Sequence, residues 1–221
     1  MLAPHSDGTQ RMAETVIECF YTLSSPWMYF AAPRLREMAA RHGARVRLRP
    51  FDFPAVVPET GGIPLRTRPQ PRQDYHALEL DRWRRHLGMP LNLRPRHYPP
   101  GDQRPAGRMV MAAQAAGLDA QALSQAILTA LWVEERDIAL PAERAAIADA
   151  LGMDGAALVA AEESPPVLAE WDRNREEAIA RGVFGSPTFF LPTPGGELWL
   201  WGQDRLFFLE RALAGDAVQT P

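Results

Sequence analysis

The chain has 221 residues, 46% of them apolar and 23% charged, and a formal net charge of −3. This composition is typical of globular proteins and excludes a chain that is mainly disordered, collagen-like or, without an apolar run of roughly 20 residues, membrane-spanning. The single cysteine, Cys19, excludes an internal disulfide framework and a cysteine-based zinc cluster.

The two ends of the chain are interpreted as flexible segments, a leader over residues 1–14 and a tail over residues 215–221. The leader lacks a basic stretch followed by an apolar one, so it does not predict a secretory signal. We therefore expect a cytoplasmic protein.

The first elements form a strand–helix–strand unit. Residues 15–21 are β-branched and aromatic, and residues 44–51 alternate apolar side chains with arginine, so both predict strands. Between them Ser25 is a good helix cap, Pro26 suits the first helical position, and Gly43 ends the helix. Pro33 is expected to kink or break this helix. A connection of this length predicts a parallel pair of strands.

A connection rich in proline and glycine over residues 52–70 precedes a long helical region. Helical segments are predicted at 73–88, 105–117, 119–135, 141–152 and 165–182, with a loop at 93–105 and a short turn near 154–162. A β-hairpin at 187–191 and 197–201 and a last helix at 203–214 follow.

This order, βαβ then helices then ββα, predicts an α/β protein with the element order of a thioredoxin-like fold and a large all-helical insertion. The thioredoxin-like domain takes residues 15–70 and 165–214, and the insertion takes residues 71–164. The same elements are also compatible with another α/β arrangement.

All 24 basic residues are arginine, and 16 of them lie between Arg34 and Arg108, against seven acidic residues there. Such a basic half can attract an anionic ligand, although solvated helix faces explain most of these arginines equally well. Nucleic acid is not expected as a partner, because the arginines are scattered among prolines without a stripe of stacking aromatics.

Three short segments can carry chemistry. Ser25 stands at a helix N-terminus, where it either caps the helix or holds another molecule's thiolate; with serine and methionine at 25 and 28, dithiol chemistry is excluded. Pro187 at the head of a strand marks an edge or a cis bond, where Ser186 can pair with a peptide-like ligand; a simple turn is the alternative. Gln203 and Asp204 either cap the last helix or bind an ammonium group.

Together these segments resemble the family of kappa-class glutathione transferases and 2-hydroxychromene-2-carboxylate isomerases, within the DsbA-like thioredoxin superfamily. The resemblance rests chiefly on residues 21–31 (YTLSSPWMYFA), 181–190 (RGVFGSPTFF) and 201–206 (WGQDRL), with shorter matches at 81–83, 97–99 and 131–132.

The resemblance implies a DsbA/kappa-class topology, a homodimer and glutathione as cofactor. It implies that Ser25 contacts the glutathione sulfur, that Ser186 pairs with the tripeptide backbone before a cis-Pro187, and that residues 201–204 bind the γ-glutamyl end (Trp201, Gly202, Gln203 and Asp204). The substrate, a small aromatic or conjugated carboxylate, is expected against Trp27, Arg66, Arg68, His97 and Tyr98. No metal, nucleic acid or membrane partner is expected.

The isomerase branch implies cis–trans isomerisation of a conjugated acid by reversible addition of glutathione thiolate. A general glutathione transferase or peroxidase of the same fold is the first alternative. A non-catalytic thioredoxin-fold module that holds a peptide at Ser186 and Pro187 is the second.

Overall fold

The computed structural model describes residues 14–220, and the predicted leader therefore lies almost wholly outside the described residues. Four strands form one sheet in the order β2-β1-β3-β4. They are β1 (Val16–Tyr21), β2 (Arg45–Pro50), β3 (Thr188–Thr193) and β4 (Gly196–Trp201). As predicted, β1 and β2 pair in parallel, whereas β3 runs antiparallel to both β1 and β4. This is the mixed sheet of a thioredoxin-like fold.

Helix α1 (Pro26–Arg41) joins the two parallel strands, and its start follows from the local sequence. Ser25 has extended backbone dihedrals, Pro26 needs no intrahelical N–H partner, and the Met28 N–H donates to the Ser25 hydroxyl oxygen at 3.2 Å. Of the two outcomes predicted for Pro33, a kink or a break, the break does not occur, because the helix continues through this residue. A single missing N–H removes one hydrogen bond, which the packing of α1 on the sheet tolerates.

Between β2 and the last helix before the hairpin, two segments differ in kind from their predictions. The segment 52–70 is not wholly irregular, because it contains a short helix α2 (Phe53–Val56) capped by Asp52 and a 3₁₀ turn (Leu65–Thr67). The turn expected near 154–162 is a helix, α7 (Gly155–Ala161), capped by Asp154. The other insertion helices are α3 (Gln70–Leu87), α4 (Arg104–Ala115), α5 (Ala120–Trp132) and α6 (Pro141–Ala150).

The chain returns to the sheet through α8 (Pro165–Ala180) and the hairpin of β3 and β4. The last helix is shorter than predicted, because residues 203–205 form a 3₁₀ turn and α9 spans Leu206–Leu213. In the predicted tail, the Thr220 hydroxyl donates to the Gly195 carbonyl at 2.9 Å. Within residues 14–220 no helix is long and apolar enough to cross a membrane.

The hydrophobic core lies on both faces of the sheet. On one face Ile17 and Cys19 pack with α1 and with insertion residues such as Leu128 and Trp132 in a single continuous cluster. On the other face Phe20 belongs to a smaller cluster with Phe51 and Phe190, among others. Because the insertion shares its core with the sheet, it is held firmly beside the start of α1. The residue boundaries predicted for the two domains stay predictions.

Candidate functional site

The site is a cleft of two adjoining cavities at the N-terminus of α1. The first, which we call the tyrosine lobe, has a volume of about 220 Å³ and is lined by Ser25, Arg66 and Tyr98, among others. The second, the aspartate lobe, has a volume of about 430 Å³ and is lined by Gln203, Asp204 and Arg72, among others. Five residues line both lobes and so mark where they meet: Trp27, Arg68, His76, Ser186 and Trp201.

Ser25 is 6% exposed, and its side-chain hydroxyl makes two hydrogen bonds. Its oxygen accepts from the Met28 N–H, and its O–H donates to the carbonyl oxygen of Ser186 at 3.1 Å. The helix cap and the contact with the 182–187 loop are therefore made by one hydroxyl. Since a hydroxyl rotates freely, its proton can turn from this carbonyl to an anion that enters the tyrosine lobe.

Ser186 lies directly opposite, and its peptide bond to Pro187 is cis, the geometry expected from the sequence. The Thr22 N–H donates to the Ser186 hydroxyl at 3.0 Å, which fixes this residue against the end of β1. Pro187 itself lines neither lobe, but its carbonyl accepts from the Gly202 N–H at 2.9 Å. The cis-proline segment and the turn after β4 are thus joined beside the cleft.

The turn after β4 presents Asp204 to the aspartate lobe. Gly202 has a φ of 96°, a backbone conformation that side-chain-bearing residues rarely adopt. Gln203 is 2% exposed, and its side-chain oxygen accepts from Arg34 of α1 at 2.6 Å. The sequence did not anticipate this contact, which orients the amide so that its NH₂ is the group of Gln203 able to donate to a ligand. Burial lowers the pKa of Arg34, and the Asp204 carboxylate partly offsets this.

The opposite wall comes from residues 64–83. Arg66 and Arg68 both line the tyrosine lobe, and the Arg68 guanidinium also donates to the Ile63 carbonyl at 2.7 Å. Burial lowers the pKa of Arg68, and the neighbouring charge of Arg72 acts in the same direction. Two positively charged side chains, the half-buried Arg68 and the exposed Arg66, therefore line this lobe.

Tyr98 lines the tyrosine lobe, with its ring centroid 4.7 Å from that of Trp132. Burial raises the pKa of Tyr98, which the charge of Arg66 partly opposes, so the phenol is a protonated hydrogen-bond donor at neutral pH. His97 is different. It lines neither lobe, and its Nδ1 lies 3.7 Å from an Asp137 carboxylate oxygen. The expectation that His97 contacts the substrate is not supported, because the side chains of 97 and 98 face different surroundings.

Sequence reasoning missed His76. Its Nε2 accepts a hydrogen bond from the Trp27 indole N–H at 3.1 Å. The available signal was helical spacing: Arg72, His76, Glu79 and Trp83 recur at intervals of four, three and four residues, and all four line the aspartate lobe. The predicted start of α3 at residue 73 left the first of them off the helix.

The protein's single cysteine thiol does not line the cleft. Cys19 is fully buried in β1, and burial raises the pKa of its thiol, so it stays protonated and inert. A separate cavity of about 500 Å³ lies on the far side of Thr22, beside Trp171. None of the site residues expected from the sequence lines that cavity.

A model of the DSBA-like thioredoxin domain matches residues 16–214. The chain is 31% identical over 201 residues to a 2-hydroxychromene-2-carboxylate isomerase from Pseudomonas putida, covering 90% of this chain and 94% of that one. A solved structure of 2-hydroxychromene-2-carboxylate isomerase superposes with a TM-score of 0.74 at 28% identity, covering 90% of this chain and 95% of that one. The cytosolic disulfide reductase DsbM from Pseudomonas aeruginosa shares the fold, with a TM-score of 0.65 at 23% identity over 90% of this chain and 96% of that one.

Proposed function

The chain belongs to the DSBA-like thioredoxin family, and from that premise we propose that it is a glutathione-dependent isomerase of small conjugated aromatic acids. Its relatives named as isomerases support an enzyme of this class that acts on a small molecule. The observation that carries the proposal is the Ser25 hydroxyl, which lies at the N-terminus of α1 and lines the tyrosine lobe opposite Ser186.

The absence of a reactive cysteine supports a role for an external thiol. Disulfide oxidoreductases carry a cysteine of their own at this helix start. In this chain Cys19 is buried in the core, so a ligand is proposed to supply the sulfur there. A helix N-terminus stabilises a negative charge, and a hydroxyl that donates to sulfur favours the thiolate further. Glutathione thiolate beside Ser25 meets both conditions.

The rest of the tripeptide is proposed to occupy the aspartate lobe. The Asp204 carboxylate accepts from the α-ammonium of the γ-glutamyl group, and the Gln203 NH₂, whose orientation Arg34 fixes, donates to the adjacent carboxylate. When the Ser25 proton turns to sulfur, the Ser186 carbonyl is released and can accept from a peptide N–H of the tripeptide. The lobe's volume of about 430 Å³ lies in the range of small-ligand sites.

The acid is proposed to lie in the tyrosine lobe with its carboxylate at Arg66 and Arg68. The thiolate's electron pair forms a C–S bond at the conjugated carbon. The pair of the C=C bond then forms the new double bond of an enolate, and the pair of the conjugated C=O bond moves to its oxygen, to which the Tyr98 O–H donates. Rotation about the resulting single bond follows. The pair then returns, the C–S bond breaks, and glutathione is regenerated with no net oxidation.

The test replaces Ser25 with alanine. We expect the pKa of the bound glutathione thiol to rise by about one to two units, the value of a hydrogen bond to a charged group. Thiolate absorbance near 240 nm in the complex at neutral pH reports this shift. Turnover of 2-hydroxychromene-2-carboxylate, measured as kcat/KM, should fall at least about tenfold.

Ser164→Ala is the control, since Ser164 and Pro165 hold the same two positions at the start of α8, but the Ser164 hydroxyl donates to the Ala161 carbonyl and lines neither lobe. The thiol of glutathione bound to this variant should have the same pKa as in the wild type. An unchanged thiol pKa in Ser25→Ala would contradict the proposal. The homodimer and the cytoplasmic location stay predictions, and light scattering coupled to size-exclusion chromatography tests the first.

A further inference from the structure

One hydrogen bond joins α3 to the start of α1 across the cleft. The Trp27 indole N–H donates to His76 Nε2 at 3.1 Å, and the two rings meet edge to face with centroids 5.3 Å apart. Because Nε2 is the acceptor, the imidazole is neutral and its proton is on Nδ1. Both side chains line the tyrosine lobe and the aspartate lobe.

Helix α3 makes few other polar contacts with α1. Leu80 is its one fully buried residue, Trp83 and Leu87 pack half-buried against the same core, and its ion pairs, Glu79 with Arg82 and Asp81 with Arg84 and Arg85, are internal to the helix. The next hydrogen bond to α1 lies beyond the C-terminus of α3, where the Tyr29 O–H donates to the Pro90 carbonyl at 2.6 Å. The bond from Trp27 is therefore the polar contact that aligns this helix face with the cleft.

The surroundings keep His76 an acceptor. Burial and the charge of Arg68 lower the pKa of His76 to about 4. The other charged groups that line the two lobes are Arg72 and Glu79 of the same helix face, Arg66 in the tyrosine lobe, and Asp204 and Arg205 across the aspartate lobe. At neutral pH the ring is thus uncharged and free to accept from the indole.

We infer that His76 is a positioning residue, which holds the Trp27 indole as the wall shared by both lobes and so makes the cleft select planar, conjugated ligands. Trp27 stands two residues after Ser25, where a sulfur bound at Ser25 meets the second ligand. An indole fixed by its N–H cannot swing aside to admit a bulkier, non-planar chain. The selection of ligands rests on the proposed function, whereas the fixed indole does not.

Two conservative variants separate positioning from direct contact with a ligand. The amide of His76→Gln reaches the position of Nε2 and keeps an acceptor for Trp27, whereas the amide of His76→Asn reaches only the position of Nδ1. We expect the Trp27 indole proton, assigned in the NMR spectrum through Trp27→Phe, to exchange with solvent about tenfold faster in His76→Asn. In His76→Gln it should exchange within about threefold of the wild-type rate.

Ligand selection is measured with trans-cinnamate and its saturated, flexible counterpart 3-phenylpropionate, each titrated in the presence of glutathione. The wild type and His76→Gln should prefer cinnamate, and the ratio of dissociation constants should shrink about fivefold or more in His76→Asn. The thiol pKa of bound glutathione should not change in either variant, since Ser25 is intact.

Several results would overturn the inference: equal exchange rates in all three proteins, a wild type without preference for cinnamate, or an Asn variant that behaves like the wild type while the Gln variant fails. The last result would assign His76 a direct donor role through Nδ1. The proton-exchange comparison uses ligand-free protein, so it stands even if glutathione does not bind. Absence of glutathione binding would count against the proposed function alone.

Discussion

At the scale of single residues, Ser25 shows how a structural and a chemical role share one atom. As a cap its oxygen uses one lone pair for the Met28 N–H, and its proton remains available for the Ser186 carbonyl or for an anion. A helix-capping serine and a sulfur-binding serine are therefore not alternatives. The sequence pattern could not separate the two readings because one geometry satisfies both.

His76 carries a pH prediction at the same scale. Its pKa of about 4 in the folded chain lies below the ordinary value of 6.5, so the unfolded chain binds the proton more tightly. The neutral imidazole therefore makes its full contribution to the free energy of unfolding above about pH 6.5. This contribution, at most about 3 kcal/mol, is lost as the pH falls toward 4. Urea unfolding at several pH values in this window measures the loss.

His76→Gln is the reference protein, since its amide keeps the acceptor but does not titrate. All other side chains are the same in both proteins, so their contributions cancel in the difference. The wild type should lose more stability than the variant between pH 6.5 and 4. Parallel curves would show that the imidazole is not held in its neutral form.

At the scale of elements, the 182–187 loop and strand β4 meet so closely at residue 185 that any side chain there has to displace the Trp201 ring. A Cβ there would lie 2.1 Å from the Trp201 indole nitrogen. Trp201 is 47% exposed at the end of β4 and packs on Phe184 with ring centroids 4.9 Å apart, so its ring can swing outward. Gly185→Ala is therefore expected to move a cleft wall more than it disturbs the core.

We predict that Gly185→Ala weakens glutathione binding about five- to tenfold, while the free energy of unfolding falls by only about 1 kcal/mol. Isothermal calorimetry and urea unfolding measure the two quantities. In a Trp201→Leu background the same glycine change should cost little further affinity, because the ring it displaces is gone. Additive losses would show that Gly185 acts through the backbone instead.

Much at this scale could be predicted from local signals. Ser25 and Pro26 place the start of α1, and the alternation of apolar residues with arginine places β2 within one residue of its observed ends. The start of α3 was missed because Pro69 and Pro71 suggest a loop, although proline is also tolerated in the first helical turn. Contacts such as Trp27 with His76 and Thr22 with Gln103 join residues 49 and 81 positions apart, and no local pattern encodes them.

At the scale of the whole molecule, the excess of arginine is largely neutralised. Arg36, Arg47 and Arg108 in the basic half pair with acidic residues from other elements, and Arg49 and Arg144 are buried in ion pairs. Within residues 14–220, seven arginines have no carboxylate within 4 Å: Arg34, Arg66, Arg68, Arg72, Arg94, Arg96 and Arg175. Three of these, at 66, 68 and 72, line the cleft. Part of the attraction expected of the basic half is thus located at the cleft.

This distribution predicts steering of anionic substrates that salt weakens. Between about 10 and 200 mM salt the Debye length shrinks from about 30 Å to below 10 Å, so kcat/KM for an anionic acid should fall several-fold. Arg72→Gln should flatten that dependence, because Arg72 is at the rim of the aspartate lobe without a carboxylate partner among the described residues. Arg175→Gln removes an equally unpaired charge from the exposed face of α8 and should leave the salt dependence as in the wild type. Stopped-flow rates at low substrate concentration measure the slopes, and equal slopes in all three proteins would mean that the cleft arginines act on the bound acid rather than on its approach.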